Sequence, residues 1–203
     1  MHINEIFWSV QGEGLRTGFP SIFVRLTGCT LQCSYCDTRE AWTQGKKMDV
    51  NEVIFKIEKY RKVYPNSQVV ITGGEPMEQD LSIMVRDLKE KKYFVSIETN
   101  GIYFQDLDLD WWTISPKDIG DFYIAADFFD KMSEVKLIVN EDLNTEVIKK
   151  IRDIRCDFPI FLQPNCLDQN KYRRTYELYQ ECQQRGIQNL RLGSQLHKIF
   201  KVK

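Results

Sequence analysis

The chain has 203 residues, 42% of them hydrophobic, and its formal net charge is −1. This length fits one domain of ordinary size, and the hydrophobic fraction excludes a disordered chain. The chain has no excess of lysine and arginine that would indicate binding to nucleic acid, and no apolar run approaches the roughly 20 residues of a membrane span. The N-terminal residues show no cationic region followed by a long apolar stretch. We therefore expect a cytoplasmic chain without a secretory signal, with neither nucleic acid nor a membrane as a partner.

Apolar runs that predict strands alternate with patterns that predict helices. The first strand covers residues 21–27, and Asp49 with Glu52 predicts a capping box at the start of the first helix. Further helices are expected from near Asn144 and over residues 168–185. Near-continuous apolar character predicts strands over residues 68–72, 93–98, 111–114, 134–139, 159–163 and 188–192. The alternation predicts βαβ units, a parallel sheet and one domain over residues 1–203, with ligands at the carboxyl ends of the strands.

Three of the six cysteines lie within eight residues, in the sequence GCTLQCSYCDT of residues 28–38. Cys29, Cys33 and Cys36 have the spacing C-x3-C-x2-C, and thiolates suit both iron–sulfur clusters and zinc. Three thiolates on a four-iron cluster would leave one iron open for a substrate or cofactor, whereas structural zinc normally takes four protein ligands. The cluster is favoured, and a zinc site with a distant fourth ligand is the alternative. Isolated cysteines are typical of small buried apolar residues, and this describes Cys156, Cys166 and Cys182.

A second motif, TGGEP, covers residues 72–76 directly after a predicted strand. Glycines allow close approach of the backbone, and carbonyls at a strand end can accept hydrogen bonds from an ammonium group. Together with the cysteine motif, this segment resembles the radical S-adenosylmethionine (SAM) superfamily, where it receives the amino group of the methionine moiety. The resemblance implies a [4Fe–4S] cluster on Cys29, Cys33 and Cys36. It also implies an α/β fold, an incomplete TIM-like barrel of parallel strands with outer helices.

More specific segments are spread over almost the whole chain. The most specific are SVQGEG at residues 9–14 and RLTGC at residues 25–29, and the others are CDT, ETNG, SPK, VKLIV, LQP and HK. They resemble the 7-carboxy-7-deazaguanine synthase family of the 7-deazapurine (queuosine) pathway. The resemblance implies a lyase that converts 6-carboxy-5,6,7,8-tetrahydropterin to 7-carboxy-7-deazaguanine with loss of ammonia. A 5′-deoxyadenosyl radical from SAM would take hydrogen from C6 of the substrate before the ring contracts.

The resemblance also implies partners and site residues. It implies Mg²⁺ on the hydroxyl of Thr38, an electron donor such as flavodoxin or ferredoxin, and a homodimer; oxygen ligands suit Mg²⁺. The implied SAM-binding residues are Tyr35, Cys36, Asp37, Gly74, Ser115, Pro116, Lys117 and Gln163. The implied substrate-binding residues are Val10, Gln11, Gly12, Glu13, Arg25, Thr72, His197 and Lys203. In the family the terminal carboxylate reaches the substrate, and this chain departs from the expected pattern in its charged ending, KIFKVK.

The chemistry of Arg25 and of Glu13 also favours the roles that the resemblance implies for them. Arg25 lies in an apolar strand, with Val24 and Leu26 expected on the opposite face, and a buried arginine needs an anionic partner. The carboxylate of the substrate fits its planar fork, and an internal ion pair, for example with Glu13, is the alternative. Glu13 could accept hydrogen bonds from an aminopyrimidine, and a surface acid is the alternative. For His197 the alternative is a packing or surface residue.

Two other functions share part of this pattern. A glycyl-radical activating enzyme has the same cysteine motif but acts on a protein glycine, which needs neither QGEG nor a carboxylate clamp at Arg25. A non-catalytic iron–sulfur or zinc protein needs no SAM pocket, so the set of GGEP, SPK and LQP disfavours it. Reductive cleavage of SAM by the reconstituted protein would separate the enzymes from the non-catalytic class.

Overall fold

The computed structural model describes residues 1–165 and 169–203 and contains the predicted alternation of strands and helices. The strands are β1 (His2–Val10), β2 (Pro20–Leu26), β3 (Lys46–Lys47), β4 (Gln68–Gly73), β5 (Val95–Thr99), β6 (Trp111–Ile114), β7 (Glu134–Val139), β8 (Ile160–Pro164) and β9 (Leu190–Leu192). The helices are α1 (Val50–Val63), α2 (Ser82–Glu90), α3 (Thr145–Arg152), α4 (Gln169–Gln184) and α5 (Leu196–Ile199). None of the described helices is long and apolar enough to cross a membrane.

All these strands belong to one sheet, in the order β3-β1-β2-β4-β5-β6-β7-β8-β9. Neighbours from β2 to β9 are parallel, whereas β1 pairs antiparallel with β2 and with β3. No pairing within the described residues joins β9 to the other end, so the sheet stays open. The predicted parallel sheet is therefore confirmed, with an antiparallel strand added at one side.

The two faces of β2 have different surroundings. Ile22, Val24 and Leu26 are fully buried in the main core, which lies between the sheet and helices such as α1 and α2. Phe23 and Arg25 point to the other side and line a cavity. The predicted alternation along this strand is confirmed, and it separates a dry packing face from a polar, ligand-accessible face.

Local signals explain where the helices begin. Asp49 accepts a hydrogen bond from the backbone of Glu52 (2.9 Å), and Glu52 accepts one from the backbone of Asp49 (2.8 Å), so the predicted capping box is confirmed. Asn144 caps α3 in the same way, through the backbone N–H groups of the first turn. The predicted start of the third helix, at residue 168, lies outside the described residues.

Strands β1 and β3 and helices α2 and α5 were not predicted from the sequence. The N-cap residue of α2, Leu81, offers no side-chain hydrogen bond, and the polar contact at the helix start comes from Asp80, which accepts from the backbone and the hydroxyl of Ser82 (2.9 and 2.6 Å). Strand β1 mixes apolar residues with Glu5 and Ser9 because one of its faces borders a polar cavity. Among the isolated cysteines, Cys182 is buried as expected, Cys156 is exposed, and residue 166 lies outside the described part of the chain.

Candidate active site

A cavity of about 360 Å³ lies against the inner face of the sheet and the carboxyl ends of β2, β4 and β5. The sequence-predicted site residues that line it are Val10, Gln11, Gly12, Glu13, Arg25, Cys29, Cys33, Tyr35, Cys36, Asp37, Thr38, Thr72, Gly74, Ser115, Lys117, His197 and Lys203. Pro116 and Gln163 are buried and do not line it. Residues as far apart in sequence as Val10 and Lys203 thus line one cavity.

The cysteine motif and the TGGEP motif are joined through their backbones. Glu75 N donates to Gly28 O at 2.6 Å, and Gly74 N donates to Leu26 O at 3.1 Å. A Cβ atom on Gly74 would lie 2.0 Å from Gly28 O, and one on Gly73, whose φ is +150°, would lie 2.3 Å from Leu26 O. Both glycines are required because no side chain fits between the two segments. The motifs consequently form one continuous wall.

Glu75 ties this wall to the next strand. Its carboxylate accepts hydrogen bonds from the Thr99 hydroxyl (2.6 Å) and from the backbone N–H groups of Asn100 (2.7 Å) and Met77 (3.0 Å). Burial raises the pKa of Glu75 to about 7, and these hydrogen bonds oppose that shift. These hydrogen bonds fix the position of the Glu75 carboxylate at the cavity wall.

The three motif cysteines fit a cluster. All are free thiols on the cavity wall, and burial raises the pKa of Cys29 and Cys33, while the Lys117 ammonium opposes the shift at Cys33. No three His, Cys, Asp or Glu side chains in the described ranges are gathered to hold a single metal ion. Three free thiols on one cavity wall are the donor set of a four-iron cluster that keeps one iron open.

Charged and polar residues fix the cysteine loop. The Tyr35 hydroxyl donates to Asp118 Oδ1 at 2.5 Å, and Asn140 Nδ2 donates to Asp118 Oδ2 at 2.9 Å. Asp37 accepts from the Thr38 hydroxyl (3.0 Å) and from Lys198 Nζ (3.1 Å). Burial would raise the pKa of Asp37, but Lys198 holds it below its usual value. The sequence analysis gave no role to Asp118, which directly follows SPK.

Lys117 is a cation at the cofactor end of the cavity. Its Nζ donates to the Ser115 hydroxyl at 2.7 Å, and its pKa is lowered by burial and by the nearby Lys136 ammonium. Gln163 lies beneath the cavity at the end of β8, where its Oε1 is buried without a hydrogen-bond partner among the described residues. A Cβ atom on Gly193 would lie 2.4 Å from this oxygen. The SPK and LQP segments thus present a hydroxyl, an ammonium and an unsatisfied carbonyl.

The other end of the cavity holds a buried ionic network. Lys136 Nζ forms an ion pair with Glu13 and lies 4.0 Å from Glu98 Oε2. Gln195 Nε2 donates to Glu13 Oε1 (2.8 Å), and Gln11 Nε2 donates to Glu98 Oε1 (2.9 Å). Burial opposes ionisation of Glu13, but Lys136 holds its pKa below the usual value. The side chain of Glu13 is 13% exposed, so the surface-acid alternative is wrong.

Sequence reasoning assigned no role to Lys136, Glu98 or Gln195. The first two lie in the VKLIV and ETNG segments, which had been recognised as motifs without a role for these side chains. A lysine inside the apolar run of residues 134–139 was itself a signal, because a buried ammonium requires a counter-charge. Gln195 had no such signal, since only the fold brings it to Glu13.

Arg25 has a different internal partner from the one suggested by sequence. Its Nε donates to Glu5 Oε1 at 3.0 Å, so the internal ion pair that was the alternative is present, with Glu5 and not Glu13 as the partner. Lys203 Nζ pairs with the other oxygen of Glu5, and the Ser9 hydroxyl donates to Lys203 O. The Arg25 side chain is 18% exposed and lines the cavity.

Residues after β9 close the open side of the sheet. Leu196 N donates to Gly12 O at 2.9 Å, which joins α5 to the QGEG loop. A Cβ atom on Gly12 would lie 1.9 Å from Nδ1 of His197, so the imidazole packs directly on the loop. Burial lowers the pKa of His197, while the nearby Glu13 carboxylate opposes this shift.

Comparisons with known proteins agree with this geometry. Residues 23–157 match the Radical SAM superfamily. The 7-carboxy-7-deazaguanine synthase of Rickettsia prowazekii is 32% identical over 211 residues, which cover 100% of this chain and 88% of that protein. The synthase of Aquifex aeolicus is also 32% identical, with coverages of 99% and 94%.

Solved structures support the same assignment. QueE from Escherichia coli has a TM-score of 0.79 and 28% identity, covering 97% of this chain and 94% of that one. Streptococcus suis SuiB bound to S-adenosylmethionine, with a TM-score of 0.53 and 14% identity, covers 84% of this chain and 48% of that one and shows the fold alone. The predicted incomplete barrel is confirmed, and the activating-enzyme and non-catalytic alternatives are set aside. The chain belongs to the radical SAM superfamily and, within it, to the 7-carboxy-7-deazaguanine synthase family.

Proposed function

We propose that the protein converts 6-carboxy-5,6,7,8-tetrahydropterin to 7-carboxy-7-deazaguanine with loss of ammonia. The observation that carries this proposal is a single cavity lined by two chemically different groups of residues. One group, which we call the cofactor end, contains the three motif cysteines and the glycines of TGGEP, and the other contains Arg25 and Glu13. The two groups adjoin, because Arg25 on β2 pairs with Thr72 on β4. A cofactor and a small carboxylated heterocycle can therefore be held next to each other in a single enclosure.

Residues at the cofactor end would hold the cluster and SAM. When bound, these groups supply a carbon radical that abstracts hydrogen, and the protein supplies position and exclusion of water. The three cysteines would ligate the cluster, and the backbone at Gly74 would accept from the methionine amino group. Tyr35, Cys36, Asp37, Ser115, Pro116, Lys117 and Gln163 would complete the SAM site. Gln163 does not line the cavity, and its support for this role is that its buried Oε1 has no hydrogen-bond partner among the described residues.

Residues at the other end would bind and orient the pterin. The guanidinium of Arg25 would take the carboxylate, and Glu13, kept ionised by Lys136, would accept from the aminopyrimidine N–H groups. Val10, Gln11, Gly12, Thr72, His197 and Lys203 would complete this surface. Holding the ring from two sides would direct C6–H toward the cofactor end, which is what hydrogen abstraction requires.

We also propose that Thr38 is a ligand of Mg²⁺. Its hydroxyl lines the cavity beside the carboxylate of Asp37, and Mg²⁺ accepts few protein oxygens together with substrate oxygens. Thr38→Ala should require a higher Mg²⁺ concentration for half-maximal turnover and should keep its iron content. An unchanged Mg²⁺ response would contradict this role.

The remaining features follow from the family and rest on the same proposal. The whole chain, residues 1–203, would act as one catalytic domain, and the working form would be a cytoplasmic homodimer. A flavodoxin or ferredoxin would deliver the electron to the cluster. Size-exclusion chromatography with light scattering and reduction assays with each donor would test these statements.

The decisive experiment is anaerobic turnover. Reconstituted protein is incubated with 6-carboxytetrahydropterin, SAM, dithionite and Mg²⁺, and products are identified by mass. We expect 7-carboxy-7-deazaguanine, with no product from a matched Cys33→Ala protein. Formation of 5′-deoxyadenosine without conversion of the pterin would show that the protein is a radical SAM enzyme that acts on a different substrate.

A further inference from the structure

We propose that Glu5 is a positioning residue for the substrate carboxylate: it holds Arg25 by one nitrogen and directs the two terminal amino groups of the guanidinium toward the cavity. The inference rests on the proposed function and deepens it by stating how the carboxylate is selected. Glu5 is not a cavity-lining residue, whereas Arg25 is, so Glu5 would act through the arginine.

The backbone places Glu5 specifically for this contact. In the antiparallel pair of β1 and β2, Ile3 lies opposite Leu26 and Glu5 lies opposite Arg25, so Asn4 is an extra residue between them. Ile3 and Leu26 are both in the main core. Regular alternation would put Glu5 on that core face as well, and the bulge turns it to the face of Arg25. A bulge that places a carboxylate beside a cavity arginine is the kind of re-aiming found near active sites.

The contact with Glu5 leaves the two terminal amino groups of the Arg25 guanidinium available to a ligand. Glu5 Oε1 accepts from Nε at 3.0 Å, and no hydrogen bond to the terminal amino groups of Arg25 is found among residues 1–165 and 169–203. The side chain of Arg25 is 18% exposed, and its Cζ lies 5.8 Å from the centre of the Phe7 ring, which limits its movement. A fork held at its base in this way can receive a carboxylate through two parallel hydrogen bonds.

The charges around Glu5 allow a second test of its role. Lys203 Nζ pairs with the second oxygen of Glu5, so the Glu5 carboxylate lies between two cationic side chains. A positioning role and a purely electrostatic role for Glu5 predict opposite effects of Glu5→Gln on the affinity for an anionic ligand. The loss of negative charge alone would tighten binding of an anionic ligand, whereas the loss of a charged anchor for Nε would loosen the fork and weaken binding.

The test measures binding of two ligands to the cluster-loaded protein with SAM under anaerobic conditions. The ligands are 6-carboxytetrahydropterin and tetrahydropterin without the carboxyl group, and the variants are Glu5→Gln and Glu5→Ala. We expect Glu5→Ala to weaken binding of the carboxylated ligand about tenfold, since a hydrogen bond to a charged group is lost, with a smaller loss for Glu5→Gln. The ligand without the carboxyl group should bind as it does to the parent, and KM should rise with little change in kcat.

A matched control is Glu58→Gln, which removes the same charge from an ion pair with Lys91 outside the cavity and should leave both affinities unchanged. Equal weakening for both ligands would show a structural role and overturn the proposal, as would unchanged or tighter binding of the carboxylated ligand to Glu5→Gln. If Glu5→Ala does not fold, Glu5→Gln alone decides between these results. A parent that does not prefer the carboxylated ligand would contradict the proposed function instead.

Discussion

At the scale of single residues, Lys136 holds the ionic network of the cavity together. Its side chain is 9% exposed and lies between Glu13 and Glu98. Lys136→Met keeps the bulk of the chain but leaves two carboxylates without a buried counter-charge, so we expect a loss of about 3–5 kcal/mol in the free energy of unfolding. Without the ammonium, burial should raise the pKa of Glu13. The substrate affinity of Lys136→Met should then increase with pH more steeply than that of the parent protein, in which Lys136 keeps the pKa of Glu13 low.

The control for this prediction is the same substitution at Lys149. That residue pairs with Asp153 on the surface, with both side chains more than half exposed, and an exposed pair contributes little. Denaturant unfolding and substrate binding at two pH values would compare the variants. A Lys136→Met protein as stable as Lys149→Met would show that the buried pair is not important for the fold.

At the scale of elements, the junction between the end of β4 and the cysteine loop determines whether the cluster can be held. Gly74→Ala would force a methyl group to within 2.0 Å of Gly28 O, which is backbone and cannot move alone. We expect loss of cluster content together with a lower melting temperature. In Gly120→Ala the nearest neighbour of the new methyl group is 3.7 Å away, so this variant should retain both. Iron analysis after reconstitution measures the difference, and equal iron content in the two variants would contradict it.

Glu75 links the ends of β4 and β5, and its pKa makes that link sensitive to pH. A carboxyl group whose folded pKa is about 7 instead of 4.5 binds its proton more tightly in the folded state. Its stabilising contribution is therefore present at low pH and is lost as the pH rises across this interval, by at most about 3 kcal/mol. Glu75→Gln cannot ionise and should lose less stability over the same interval. Urea unfolding of the cluster-free proteins tests this, and parallel pH profiles would contradict it.

An element of the fold could be predicted when its own residues indicate where it begins or which of its faces is buried. Helix α1 was predictable because Asp49 and Glu52 form the capping box themselves, and most of the parallel strands were predictable because they are nearly continuous apolar runs. Helix α2 has an apolar N-cap residue, Leu81, with its polar contact supplied by Asp80 one position earlier, and β1 has one face that borders a polar cavity. The periodicity of a single segment cannot show what the rest of the molecule places beside it.

At the scale of the whole molecule, the sequence motifs identified most of the residues that line the cavity. They did not show which charged side chains form ion pairs there, because those pairs join residues that are distant in sequence. Most predicted site residues line one cavity because their segments end at the same edge of the sheet or cross its inner face. The pairs between Arg25 and Glu5 and between Glu13 and Lys136 were not predictable. Glu5 reaches the cavity face only through a bulge, and Lys136 meets Glu13 from 123 residues away in sequence. Both depend on register and curvature, which no local pattern encodes.

The chemical difference between the two groups of lining residues predicts that substrate binding and cluster binding can be lost separately. Arg25→Ala removes the carboxylate partner, and truncating one member of a buried charged pair costs about 2–5 kcal/mol, or roughly 30-fold to several thousand-fold in affinity. Arg25→Ala should therefore lose pterin binding and turnover but keep its iron and cleave SAM without coupling to the substrate. Arg25→Lys should recover only part of the affinity, because an ammonium group lacks the planar fork.

The converse variant acts at the opposite end of the same cavity. Cys33→Ala should lose the cluster and all SAM cleavage, while pterin binding, measured without cofactor, should stay near that of the cluster-free parent. Iron content, 5′-deoxyadenosine formation, pterin affinity and melting temperature on each variant complete the comparison. A folded Arg25→Ala protein with full iron content and parental pterin affinity would show that the carboxylate is bound elsewhere. Loss of the cluster in Arg25→Ala would show that the two ends are not independent, because the fold of β2 connects Arg25 directly to the loop that begins at Gly28.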